Sequence, residues 1–114
     1  MCSQAVLDEI TAKIVQAARE RLGDKLDKVI LYGSYARGDC DDESDIDIMV
    51  LADIPRESCG DEYKKINKLV SRLGLDHDIL VSVDITDTAT YNKYISDLPF
   101  YINVQREGVV LGAQ

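Results

Sequence analysis

The chain has 114 residues, a formal net charge of -8 and 46% apolar residues, which suits one domain over residues 1–114 with a single core of ordinary size. The acidic balance argues against a broad electrostatic grip on nucleic acid, because neutralising phosphates needs clustered Lys and Arg. No stretch approaches the ~18 consecutive apolar residues of a membrane span, and the N-terminal MCSQAVLDEI has no basic region ahead of an apolar run, so neither secretion nor membrane insertion is expected.

In chain order, Leu7, Ile10, Ile14, Ala17, Ala18 and Leu22 recur at three-to-four spacing, with Ser3 available as a cap and Gly23 as a stop. Residues 1–22 therefore predict one amphipathic helix. Lys28–Tyr32 is a run of strand formers ending at Gly33, which predicts a strand running into a tight turn. The polar segment DCDDES, residues 39–44, has no periodicity and reads as a loop to a second, paired strand over Asp45–Leu51.

Ser58 and Asp61 have capping-box spacing, with Asp in place of the usual Glu, and Tyr63, Ile66, Leu69, Val70 and Leu73 form an apolar stripe. A second long helix closed by Gly74 is predicted, then a third strand over Asp78–Val83. The tail from Thr86 to Arg106 has mainly helical spacing divided at Pro99. Val109–Leu111 reads as a terminal strand or an extended arm. Together these elements predict an α/β (α+β) fold, a small mixed sheet with helices packed against it.

The three cysteines, Cys2, Cys40 and Cys59, are widely spaced, with neither a CxxC pair nor a nearby histidine for zinc. Reduced thiols in a cytoplasmic protein are expected.

Two motifs carry chemistry. In a strand, side chains at i and i+2 share a face, so Asp45 and Asp47 stand side by side, about 6.5 to 7 Å apart at the backbone, while Ile46, Ile48 and Val50 turn the other way. Two like charges that close repel unless they are exposed, protonated or bridged by a cation; oxygen ligands of this kind suit Mg2+ or Mn2+. Gly33-Ser34, with Gly38 four residues on, offers backbone N–H groups and a hydroxyl to phosphate oxygens. Without a Gly-Lys-Ser/Thr ending it is not a Walker loop. Either motif alone is common by chance, but a phosphate cradle and a carboxylate pair separated by one short loop are what nucleotide chemistry requires. A calcium loop fits poorly, since the acidic run from Asp39 lacks a glycine at its sixth position and has Val50 where a bidentate Glu belongs.

Gly33-Ser34-Tyr-Ala-Arg37-Gly38 followed by Ser44-Asp45-Ile-Asp47 resembles the signature of the DNA polymerase beta-type nucleotidyltransferase superfamily, and the small size resembles its minimal nucleotidyltransferase branch. The resemblance implies the nucleotidyltransferase fold, with Gly33, Ser34, Arg37 and Gly38 at the nucleotide and Asp45 and Asp47 as catalytic residues holding two Mg2+ ions, Mn2+ being the alternative. Asp78 is expected to complete this metal site, although Asp76 and Asp84 also lie near the third strand and register decides among them. The implied reaction moves a nucleoside monophosphate, AMP from ATP, onto an acceptor hydroxyl with release of pyrophosphate.

So small a domain leaves little surface for an acceptor pocket, and minimal members of the branch resemble partners of HEPN-domain proteins, some as antitoxins that adenylylate a toxin tyrosine. A protein partner of HEPN type, in a homo- or hetero-oligomer, is therefore expected. Two alternatives stay open: nucleotidylation of a small molecule such as an aminoglycoside with a separate substrate-binding subunit, and a non-catalytic antitoxin that acts by docking. Arg37 is placed either to reach a phosphate or to pair with the acidic loop. His77 is expected to be structural, and Tyr91, Tyr94 and Tyr101 to pack or to cover an interface.

Overall fold

The computed structural model describes residues 3–113. The first helix, α1, runs Gln4–Leu22; the Ser3 hydroxyl accepts from the Val6 N–H at 3.3 Å, and Gly23 ends the helix at φ 55°. Strand β1 is Leu26–Tyr32, followed by a single helical turn, α2, Ser34–Arg37, and by β2, Ile46–Ala52. A short 3-10 turn leads into α3, Cys59–His77, and then come β3, Val81–Asp87, α4, Thr88–Tyr94, α5, Pro99–Glu107, and β4, Val109–Ala113. The mixed sheet predicted from the sequence has the order β3-β2-β1-β4, with β1 antiparallel to both β2 and β4, and β2 parallel to β3. The terminal apolar piece is thus a paired strand rather than an arm.

The sheet divides two apolar layers. On one face, Val29, Leu31, Ile46, Ile48, Val50 and Val83 pack beneath α1 and α3, which bury Leu7, Ile10 and Ile14 and Ile66, Val70 and Leu73 against them. On the other face, Ile30, Met49 and Leu51 pack with Tyr91 of α4 and Val104 of α5. Each fully buried large aliphatic contributes roughly 1.5–3 kcal/mol, so the α1/α3 side supplies most of the driving force and the α4/α5 side is a thinner cover. Cross-links between α1 and α3 are polar as well: Arg21 pairs with Glu62 at 3.0 Å and His77 with Glu9 at 2.6 Å, which gives the lone histidine a structural place.

Helix α3 departs from its predicted bounds at both ends. The Ser58 side chain makes no cap hydrogen bond, since Ser58 closes the preceding 3-10 turn. Gly74, expected as the stop, is buried inside the helix. A Cβ there would lie 2.6 Å from the Ile79 carbonyl oxygen, so the glycine admits the returning chain instead of ending the helix. The helix continues to His77, and Asp78 caps it in the left-handed region at φ 53°, its N–H donating to Gly74 and Leu75 carbonyls. Asp is one of the few side-chain-bearing residues that tolerate this conformation. The third strand consequently starts at Val81 rather than Asp78.

No helix among the described residues is long and apolar enough to cross a membrane. Among the described residues Cys59 is a free thiol; Cys2 lies outside them.

Candidate active site

The antiparallel hairpin of β1 and β2 brings the two motifs together. Tyr32, the last residue of β1, is the ladder partner of Asp47, and Gly33 follows at once. Gly33 adopts φ 79°, ψ -159°, a backbone region essentially confined to glycine. Space demands glycine as well, because an added Cβ would meet the Asp47 Oδ2 at 2.5 Å. The glycine therefore lets the chain turn directly over the carboxylate. Ser34 then opens α2, and helical geometry leaves the first N–H groups of that turn without acceptors within the helix. The Ala36 and Arg37 N–H groups both donate to the Gly33 carbonyl at 3.1 Å, so the groups left are those of Ser34 and Tyr35, on the turn that carries the Ser34 hydroxyl.

Asp45 immediately precedes β2 and Asp47 lies within it, both half-buried. Ile46, Ile48 and Val50 enter the α1/α3 core as the alternation requires. The carboxylate face is not wet along its whole length, however: Met49 and Leu51 continue it as fully buried side chains beneath α4 and α5. The aspartates thus occupy the open end of an otherwise buried face. Burial, followed by the negative charge of Asp45, pushes the Asp47 carboxyl above the ordinary carboxylate range, and Arg37 opposes this.

Register separates the candidates for a third carboxylate. Parallel pairing of β2 with β3 sets Asp47 opposite Ser82 and Met49 opposite Asp84, and partners in a ladder share a face. Asp84 is therefore a diagonal neighbour of Asp47 on the site face. The expected residue, Asp78, is exposed at the end of α3 and lines a depression on the α1/α3 side with Tyr35, Asp42, His77 and Ile79. It fails to join Asp45 and Asp47 because the extra helical turn after Gly74 consumes the residues that would have placed it in a strand. Val81, Val83 and Ile85 alternate as buried residues, and the same alternation, counted from Val81, is the sequence signal that selects Asp84.

The remaining nucleotide-site candidates divide. Gly38 is the left-handed cap of α2 at φ 82°, ψ 11°, and its N–H is spent on the Ser34 carbonyl at 3.0 Å. Its N–H is thus engaged in ending the turn, not offered to a phosphate. The Arg37 guanidinium bridges Asp39 and Glu107, each at 3.2 Å, with both of those partners substantially exposed. It remains close enough to influence Asp47, so the acidic pairing and proximity to the site coexist.

Sequence reasoning missed two aromatic residues at the site. Tyr32 shares the face of Asp47, and burial, then the charges of Asp47 and Asp84, raise its phenol to about 12. Phe100 of α5 meets the Tyr32 ring edge-on at 5.7 Å. By contrast, Tyr91, Tyr94 and Tyr101 pack on one another behind this pair, with Tyr91 buried.

Among the described residues, no three His, Cys, Asp or Glu side chains converge tightly enough to enclose a metal ion by themselves. The donor set still fits Mg2+, which is commonly held by one or two carboxylates together with substrate phosphate oxygens. The mutual repulsion felt at Asp47 is the excess negative charge that such a cation would offset.

Comparison with known proteins identifies the family. The sequence model of the nucleotidyltransferase domain family matches residues 12–110. A Methanocaldococcus jannaschii protein named as a protein adenylyltransferase is 44% identical over 81 residues, 70% of this chain and 79% of that protein. Among solved structures, a toxin–antitoxin complex with AMP-PNP aligns at TM-score 0.54 and 25% identity, over 91% of this chain and 73% of that one. The MNT antitoxin complex with tri-AMPylated Shewanella oneidensis HEPN toxin aligns at TM-score 0.50 and 22% identity, over 94% of this chain and 72% of that one, a likeness of fold. The carboxylate pair, the glycine turn above it and the family match lead to one conclusion: the chain belongs to the nucleotidyltransferase domain family and is a nucleotidyltransferase.

Proposed function

We propose that this nucleotidyltransferase moves AMP from ATP onto a hydroxyl of a partner protein, and that the partner is a toxin of HEPN type. The observation that carries the reading is the register of β2 and β3, which sets Asp47 and Asp84 on one face beside the Gly33-Ser34 turn, with Asp45 close enough to Asp47 to act on its charge. Support for AMP comes from the name of the 44% identical relative and from the AMP-PNP of the similar toxin–antitoxin complex. That complex also supports a protein acceptor. The HEPN class is the partner implied by the motif resemblance, and a complex of that kind shares the fold.

In this reading Ser34 and the free N–H groups of α2 bind the triphosphate, and Asp45 and Asp47, with Asp84 beside them, hold Mg2+ or Mn2+, two ions in the arrangement expected from the motif. When bound, the cations offset phosphate charge and lower the pKa of an acceptor hydroxyl. The acceptor hydroxyl enters on the β3 flank. Its oxygen bonds to the α-phosphorus while the bond from that phosphorus to the bridging oxygen breaks, and pyrophosphate leaves with the bonding pair. The hydroxyl proton passes to an Asp84 carboxylate oxygen, the base on that flank.

The test is incubation of the chain with α-labelled ATP, Mg2+ and the HEPN-type protein that copurifies with it, followed by identification of the labelled species. Label is expected on the partner protein, and Asp47→Asn should abolish it with the far-UV circular dichroism unchanged, because the substitution removes charge at an open end and no core volume. Undiminished transfer by that variant would refute the carboxylate assignment; label on a small molecule instead would refute the protein acceptor.

A further inference from the structure

We propose that the exposed face of Phe100, backed by Tyr32, is the platform on which the nucleobase of the bound nucleotide stacks; this rests on the reading of Gly33, Ser34 and the carboxylates as a nucleotide site. Phe100 is 45% exposed, so part of its ring surface is open to a ligand. Among the described exposed large apolar side chains it is the one in ring contact with a residue of the carboxylate face.

Its position is fixed from behind. The ring meets Tyr32 at 5.7 Å and 84°, and Tyr101 at 5.4 Å and 64°, while Tyr101 stacks on Tyr94 at 6.5 Å and 17°. Edge-to-face contacts of this kind hold a ring without covering both of its faces. The ring is therefore held in place by its neighbours while part of its surface stays exposed.

Topology gives its occupant. Asp47 is flanked by β3, which carries Asp84, and by β1, which carries Tyr32 and leads straight into Gly33 and Ser34. The phosphate-binding turn and the Phe100–Tyr32 pair thus belong to the same flank, the β1 side, and the third carboxylate to the other. A nucleotide whose phosphates lie on Gly33 and Ser34 has its base tethered within reach of the aromatic pair, while the β3 flank is left to the acceptor. Stacking requires only a π-face, which every base has, so this platform contributes affinity without strict choice of base.

The experiment compares two ligands, AMP-PNP and inorganic tripolyphosphate, each with Mg2+, by isothermal titration of the wild-type chain and of Phe100→Ala, Phe100→Leu and Phe100→Tyr. Loss of one base–aromatic stack should weaken AMP-PNP roughly tenfold in Phe100→Ala and leave tripolyphosphate within about twofold, since the phosphate turn is untouched. Phe100→Tyr should bind AMP-PNP like the wild type, and Phe100→Leu, which keeps apolar bulk without a π-face, should fall between. Unchanged AMP-PNP affinity in Phe100→Ala and Phe100→Leu, or equal weakening of both ligands, would overturn the platform. Failure of the wild type to bind either ligand would overturn the nucleotide site itself, and the platform with it.

Discussion

At the residue scale, the two glycines of the GSYARG motif have different duties although their positive φ angles are nearly equal. Gly33, at φ 79° and ψ -159°, lies over the Asp47 carboxylate with no room for a methyl group, whereas Gly38, at φ 82° and ψ 11°, faces open space. Replacing Gly33 by Ala therefore combines backbone strain of about 1–3 kcal/mol with displacement of Asp47. Replacing Gly38 by Ala costs about 1 kcal/mol of left-handed strain and moves no site group. Gly33→Ala should lower the melting temperature and eliminate AMP transfer, while Gly38→Ala should lower the melting temperature and retain most transfer. Thermal melts paired with labelled-ATP assays check both, and a fully active Gly33→Ala would mean that the glycine does not govern the carboxylate.

At the scale of elements, the hairpin and the first helix were legible because their signals were local: Ser3 and Gly23 bracket α1, and the alternation in Asp45–Leu51 assigns the carboxylates to one face and Ile46, Ile48 and Val50 to the other. The end of α3 was not legible. A glycine at the close of an apolar stripe reads as a stop, yet Gly74 is required by the approach of the Ile79 carbonyl, a contact made only after the chain has turned back. That one tertiary demand lengthens α3, starts β3 at Val81 and leaves Asp78 outside the sheet, with Asp84 as the β3 carboxylate on the face of Asp47. The second apolar layer was likewise hidden, since Met49 and Leu51 share the face of Asp47 and only α4 and α5 explain their burial. Register makes a discriminating prediction here. Asp84→Asn should reduce transfer by roughly two to four orders of magnitude, the usual worth of a positioned base, whereas Asp78→Asn should leave it near the wild-type rate. The reverse ranking in a single-turnover assay would show that β3 is displaced from the register described.

For the whole molecule, the sheet is a wall shared by two layers of unequal thickness. The layer over α1 and α3 is broad and cross-linked by Arg21–Glu62 and His77–Glu9. The layer under α4 and α5 buries fewer groups, leaves Leu98 and Phe100 substantially exposed, and is tied to α2 by the exposed Arg37–Glu107 pair, which solvent screening keeps weak. Segments with little buried apolar surface open at lower free energy than the global unfolding, so the cover beside the carboxylates is the part of the fold most able to move when a substrate enters. Hydrogen exchange followed by mass spectrometry should find the amides of α5 exchanging well before those of the buried stretch of α1 around Ile10 and Ile14. Adding AMP-PNP with Mg2+ should slow α5, through ligand contact at Phe100 and at Arg37, and leave α1 unchanged. If α5 and α1 exchange together with and without nucleotide, the two layers unfold as one unit and the site has no mobile cover; if nucleotide protects α1 instead, the ligand sits on the opposite face of the sheet from Asp47.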